Sequence, residues 1–264
     1  MKRVFVLRRW LLAFCLCAGL PLASAQDAPK PITALGIFSL LGDKIQITIA
    51  SEPTPGSKIE TADREEMKAE GIAFDGIVLK VAKESVEKTV PGAPVSLFKV
   101  TTLTPEQQQE IALGAKGGAL PAWMVQAIES KRLSHILIVT RDRGDASFKG
   151  AGPEFIGRGT VEGIGFYIDA LYQQRNIDTN LVSSGMLAPF AEINVQLMDT
   201  YTAKVVQSYR VHGGYLMGAE PGTSDSGRNN DPWNFIDAQT KVRVLRDLVE
   251  KGMQKAITEV LKPR

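Results

Sequence analysis

The sequence predicts one α/β domain, a mixed β-sheet with helices packed on it and a long amphipathic helix at the C-terminus. Three observations carry that prediction. Residues 136–140, Ile-Leu-Ile-Val-Thr, are the most apolar short run beyond the N-terminal leader. A strand without polar alternation is buried on both faces, as at the centre of a sheet covered by helices. Strand and helix patterns alternate over 95–140, which implies at least one right-handed crossover. Near the end, Val242, Leu245, Leu248, Val249, Met253, Ala256, Ile257 and Val260 form a single stripe at helical spacing.

The elements follow in order. Residues 32–50 alternate around Gly42-Asp43, with Leu35 and Ile37 before the turn and Ile45, Ile47 and Ile49 after it. That pattern reads as a β-hairpin. Residues 51–71 begin with Pro53, Pro55 and Gly56; the charged stretch 59–70 fits a solvated helix or a polar edge strand equally well. Phe74, Ile77, Val78, Val81, Ser85 and Val86 recur at helical spacing, so a helix is expected over 75–90, with Pro91-Gly92 ending it. Residues 95–100 read as a short strand. Thr104-Pro105-Glu106 supplies a capping hydroxyl, a proline in the first turn and an acid, starting a helix that runs to about 113. A further helix is expected over 121–132. Residues 161–172 alternate around Gly163 and Gly165. Residues 191–198 and 204–215 flank Asp199-Thr200-Tyr201-Thr202-Ala203 and predict a hairpin. Residues 218–231 lack an apolar pattern and are expected to be a mobile loop. The last helix opens at Asp231-Pro232 or at Asp237; at ~1.5 Å per residue it is roughly 36 Å long.

The leader has the parts of a cleavable export signal. Lys2, Arg3, Arg8 and Arg9 precede an apolar run at 10–20, and Ala23-Ser24-Ala25 is a small-x-small cleavage pattern. The run is half the ~20 residues of a spanning helix. The expected organisation is a signal peptide at 1–25, a disordered leader at 26–31 and one α/β domain over 32–264. A periplasmic location follows, with no transmembrane segment after cleavage. Cys15 and Cys17 lack the small residues that precede a lipidated cysteine, so lipid anchoring is not expected.

Cleavage changes the charge balance. The full chain has 31 basic and 29 acidic residues, and the signal holds four basic and no acidic ones. The remainder is therefore slightly acidic, which argues against nucleic acid as a partner. Both cysteines leave as well, excluding a disulfide, a cysteine nucleophile and a thiolate metal site. The only histidines are His135 and His212, with no His-x-x-x-His or Asp-x-Asp spacing. No metal site, catalytic residue or cofactor is expected on that basis. The glycines Gly157, Gly159, Gly163 and Gly165 precede a strand rather than a helix, so they do not build a phosphate cradle. No serine sits in a Gly-x-Ser-x-Gly elbow.

What remains is recognition. Arg141, Asp142, Arg143 and Asp145 follow the buried strand, where open α/β sheets place their ligand crevices. These four are the expected ligand-binding residues, unless they form a solvated turn of paired charges. Tyr201 at a hairpin tip and Trp233 at a loop end are the expected partner-binding aromatics.

The hairpin at 191–209, with its turn Asp199-x-x-Thr202-x-Lys204, resembles that of exported envelope domains of the curli-secretion lipoprotein and LpoB-like type. Ala203 stands where those domains carry a glycine. The resemblance covers about a third of the chain and implies a periplasmic partner-binding or assembly domain without an active site. The expected function is non-enzymatic binding of another envelope component, a protein or a glycan. The alternatives are a periplasmic hydrolase of an envelope substrate, using Asp142, Asp145 and Glu162, and a homo-oligomeric structural subunit. In the latter, strands near 32–50 and 157–172 would pair between copies.

Overall fold

The computed structural model describes residues 31–51, 62–100, 107, 111, 120–150, 154–175, 182–218 and 231–262. The chain divides into a unit Met1–Lys30 and a unit Pro31–Arg264; the second holds all the described elements. It is a mixed α/β domain built on a nine-stranded sheet.

The spine of the sheet is β11 (Val182–Asp199), a strand of 18 residues. One edge of β11 is shared by two partners. β10 (Ile164–Arg175) pairs antiparallel with its first half, and β5 (His135–Arg141) pairs antiparallel with its second half. β5 and β10 therefore lie end to end, pointing the same way. Beside them run β1 (Leu35–Ser39), parallel to β5, and β2 (Lys44–Ala50), parallel to β10. β4 (Val95–Lys99) lies parallel to β1, and β3 (Ala62–Lys68) antiparallel to β2. The other edge of β11 pairs with β12 (Lys204–Gly214) and β13 (Met217–Gly218).

This topology corrects the hairpin expected over 32–50. β1 and β2 run in the same direction, so Gly42-Asp43 is a jog and not a reversal. The physical cause is Asp75, buried at the start of the first helix. Its Oδ1 accepts from Ser39 Oγ at 2.7 Å, Leu41 N at 3.0 Å and Gly42 N at 3.3 Å. A carboxylate satisfying the backbone of the jog gives it the partners that a hairpin would otherwise supply. Alternation over 32–50 is common to both arrangements, since period two reports strand and not direction.

Three helices among the described residues cover the sheet. α1 (Phe74–Thr89) matches the helix expected there. α2 (Ala122–Lys131) matches the one expected over 121–132 and ends at Arg132 in the left-handed region. α3 (Ala238–Val260) follows a short 3-10 turn at Pro232–Phe235 and is capped by Asp237, whose carboxylate accepts from Thr240 N at 2.7 Å. It is 23 residues long, or about 35 Å. The expected helix over 104–113 lies outside the described residues except for Gln107 and Ile111, which are helical. The expected loop at 218–231 also lies outside them, apart from its ends. The undecided stretch 59–70 contains an edge strand, β3, whose charges protect an open edge from pairing with other chains.

The core alternates along β11 as period two requires. Leu187, Ala191, Ile193, Val195 and Leu197 face the main core with α1 and α3. The opposite face has three parts. Met186, Ala188 and Phe190 lie in one small core with Tyr167 and Phe148. Met198 lies in another with Ile136, Ile138, Phe38 and Met124 of α2. Between them, Glu192, Asn194 and Gln196 make a polar gap.

Candidate functional site

The gap sits where β5 gives way to β10. Glu192 marks the junction. Its backbone N donates to Gly163 O at 2.6 Å, its O accepts from Asp142 N at 3.0 Å, and Gly163 N donates to Asp142 O at 2.9 Å. The chain between Asp142 and Gly163 leaves the sheet as an arm and returns to the same point. Its inner part is the ladder of β6 (Arg143–Asp145) with β9 (Thr160–Glu162). Its outer part pairs β7 (Phe148–Lys149) with β8 (Phe155–Ile156).

Glu192 is 4% exposed. Its Oε1 lies 2.5 Å from His212 Nδ1, across the strand pair on β12. Burial pushes its carboxyl up to about 7, opposed by the charge and hydrogen bond of His212, raised further by Asp142 and lowered by Arg210. Gly144 of the arm lies directly over this carboxyl. A Cβ there would stand 2.5 Å from Glu192 Oε2. Beside the pair, Arg210 Nε reaches Asp142 Oδ2 at 2.7 Å. Farther down the gap, Gln196 Oε1 is buried and has no hydrogen-bond partner among the described residues. The arrangement links the buried Glu192 carboxyl to His212, whose side chain is half exposed. A buried carboxylate fixing one imidazole nitrogen is a general way to orient the other.

The four expected ligand-binding residues flank this gap but do not converge on one point. Arg141 turns back to the β1–β2 jog, donating to Leu41 O at 2.9 Å and Lys44 O at 2.8 Å. Asp142 faces Arg210. Arg143 donates to Thr160 Oγ1 across the arm at 2.9 and 3.1 Å. Asp145 is exposed, with its backbone in the arm ladder. Glu162 is also exposed, and its N donates to Gln46 Oε1 at 2.8 Å. Tyr201 is 83% exposed at the β11–β12 tip, where Tyr201 N and Thr202 N both donate to Asp199 Oδ1. Trp233 is half-buried; its ring meets Phe166 edge-on at 5.5 Å and lies under Lys241 Nζ at 4.4 Å.

Glu192, His212 and Gly144 were missed as a group in the sequence reading. The available signal was the alternation Glu192, Asn194, Gln196 inside an otherwise apolar strand. His135 is 2% exposed and pairs across the strands with Asp199, seven positions along β11 from Glu192. That is about 23 Å in an extended strand, so the two histidines cannot share an ion. Among the described residues no cluster of three or more metal-ligating side chains is found. No described helix is long and apolar enough to cross a membrane.

No family model matches the chain, and no curated protein does. Solved structures similar to it include a neuraminyllactose-binding hemagglutinin homologue from Helicobacter pylori. It has 9% identity and a TM-score of 0.35, over 90% of this chain and 86% of that one. A PelC dodecamer from Paraburkholderia phytofirmans has 12% identity and a TM-score of 0.28, over 90% and 94%. A DUF330 protein from Xanthomonas campestris has 11% identity and a TM-score of 0.31, over 89% and 85%. At these values the likenesses carry no weight for function. The hairpin resemblance to the curli-secretion and LpoB-like domains has no family match behind it.

Proposed function

We propose that this chain is an exported, non-enzymatic domain that binds another component of the cell envelope, a protein first and a glycan second. Export to the periplasm rests on the leader alone: its basic start, its short apolar run and its Ala23-Ser24-Ala25 pattern. Binding rests on the arm. Two of the charged residues at its base are engaged, Arg143 on Thr160 and Asp142 on Arg210. Its outer ladder carries Phe155, 69% exposed. A large aromatic on an anchored two-strand projection loses little entropy on contact and can fill a pocket in a partner.

The test is a photo-crosslinking amino acid at Phe155, and separately at Tyr201, in the native envelope. One dominant heterologous adduct at Phe155 is expected. Adducts formed only with a second copy would favour the self-assembling reading. Absence of any adduct at both positions would count against recognition through the arm.

The hydrolase reading retains one observation in its favour. Glu192 meets His212, the charge of Asp142 acts on it, and its carboxyl is held at about 7, where a side chain serves as acid or base at neutral pH. Asp145 and Glu162 do not join them. Loss of an envelope-degrading activity in both Glu192→Gln and His212→Ala would establish that reading. The assembly reading changes its surfaces. β1, β2 and β10 each have neighbours on both sides, and among the described residues the open edges of this sheet are β3, β4 and the outer sides of β12 and β13.

A further inference from the structure

A second site lies across the sheet from the arm, at the ends of the adjacent parallel strands β1 and β4. Beyond β1 the chain leads by way of β2 and β3 to α1, on the main-core face. Beyond β4 it leads to α2, whose Met124 belongs to the opposite face. Two neighbouring parallel strands whose continuations part to opposite faces leave a crevice beyond their carboxyl ends, and such crevices bind ligands. The molecule has one there. A groove of about 390 Å³ is lined by Gly42 and Asp43 after β1, Lys99 at the end of β4, and Glu70, Gly71 and Asp75 at the start of α1. That volume suits a small molecule.

The polar groups of the groove are of two kinds. Asp75, 4% exposed, takes all three of its hydrogen bonds on Oδ1. Oδ2 accepts none among the described residues. Oδ2 is not sealed inside the protein, since among the described residues the only buried side-chain oxygen without a partner is that of Gln196; Asp75 lines the groove. Lys99 is exposed, near enough for its charge to act on Asp75, and has no ion pair among the described residues. Lys68, by contrast, is engaged with Asp43 at 3.4 Å. The first turn of α1 has no side-chain cap at Ala73, so its N–H groups are open to an anion. Gly42 and Gly71, both at positive φ, present bare backbone with nothing within 4 Å of a Cβ position. A donor cation is wanted at Oδ2 and an acceptor anion at Lys99.

We propose that this groove binds a small zwitterion of the α-amino-acid type, with its ammonium on Asp75 Oδ2 and its carboxylate on Lys99 and the first turn of α1. This is independent of recognition through the arm.

Saturation-transfer NMR on the full exported chain tests it, with the proteinogenic L-amino acids as probes one at a time. Propionate and ethylamine serve as half-ligands for alanine. At least one amino acid binds saturably, and affinity falls about tenfold or more in Lys99→Ala, as expected for a lost charge-assisted contact. Asp75→Asn keeps an oxygen for the three donors but turns an N–H toward the ligand, and it weakens binding by a similar factor. Lys99 is exposed, so its substitution leaves the fold intact and the test stands even if the Asp75 variant fails to fold. Binding of no amino acid overturns the proposal. So does unchanged affinity in Lys99→Ala, or half-ligands that bind as well as alanine.

Discussion

Replacing Glu192 with glutamine tests the central feature of the polar gap. The carboxyl stands at about 7 in the folded chain against an ordinary 4.5, chiefly because it is buried. An acid whose folded value is raised holds its proton more tightly in the folded state. Its contribution to stability is full below about 4.5 and is lost as pH rises through about 7. The shift corresponds to about 3 kcal/mol between those limits, at ~1.36 kcal/mol per unit. Glutamine has nearly the same shape, fits under Gly144, can hydrogen-bond His212 Nδ1 in either direction, and does not titrate. The gap in unfolding free energy between Glu192→Gln and wild type should therefore move by about 3 kcal/mol in favour of glutamine from pH 4.5 to pH 8. Urea denaturation at a series of pH values measures it. For a domain of this size that is roughly 6–12 °C in Tm. A gap constant with pH would refute the burial argument. A gap that moved against glutamine would mean that the ion pair with His212 outweighs desolvation.

Three further outcomes follow from close contacts and backbone angles. Gly144→Ala puts a Cβ 2.5 Å from Glu192 Oε2 and should cost about 1–3 kcal/mol by overpacking; Glu192→Ala in the same chain should recover part of the loss, a coupling read by a double-mutant cycle. Gly165→Ala drives a Cβ into the backbone oxygen of Gln46, on a paired strand that cannot rotate away. It should cost more than about 3 kcal/mol and abolish soluble expression. Ala203 has φ 53°; Ala203→Gly should stabilise the chain by roughly 0.5–1 kcal/mol in thermal melts, since the relief of left-handed strain exceeds the added freedom of the unfolded chain.

Local rules were enough for much of this fold. The buried run at 136–140, the hairpin across Asp199 to Lys204, the helix at Phe74 to Thr89 and the C-terminal stripe each rest on a period of two or 3.6 that neighbours in sequence impose. Strand direction is not such a property. Whether residues 44–50 turn back on 35–39 or continue beside them depends on Asp75, more than thirty positions along the chain. The same holds for the candidate sites. Arg141, Asp142, Arg143 and Asp145 were legible as charges after a buried strand, but the contacts of the first three are with Leu41, Lys44, Thr160 and Arg210, across the sheet and the arm. Glu192 became a carboxyl near neutrality only because β5 and β10 meet opposite it and Gly144 closes over it. Asp75 became the wall of a groove only because β1 and β4 are neighbours. The sequence by itself determined the class of fold, its main elements and the apolar periods of its core. The tertiary structure decided strand direction, edge exposure and which charges meet, because burial and electrostatics act through space between residues that the chain order keeps far apart.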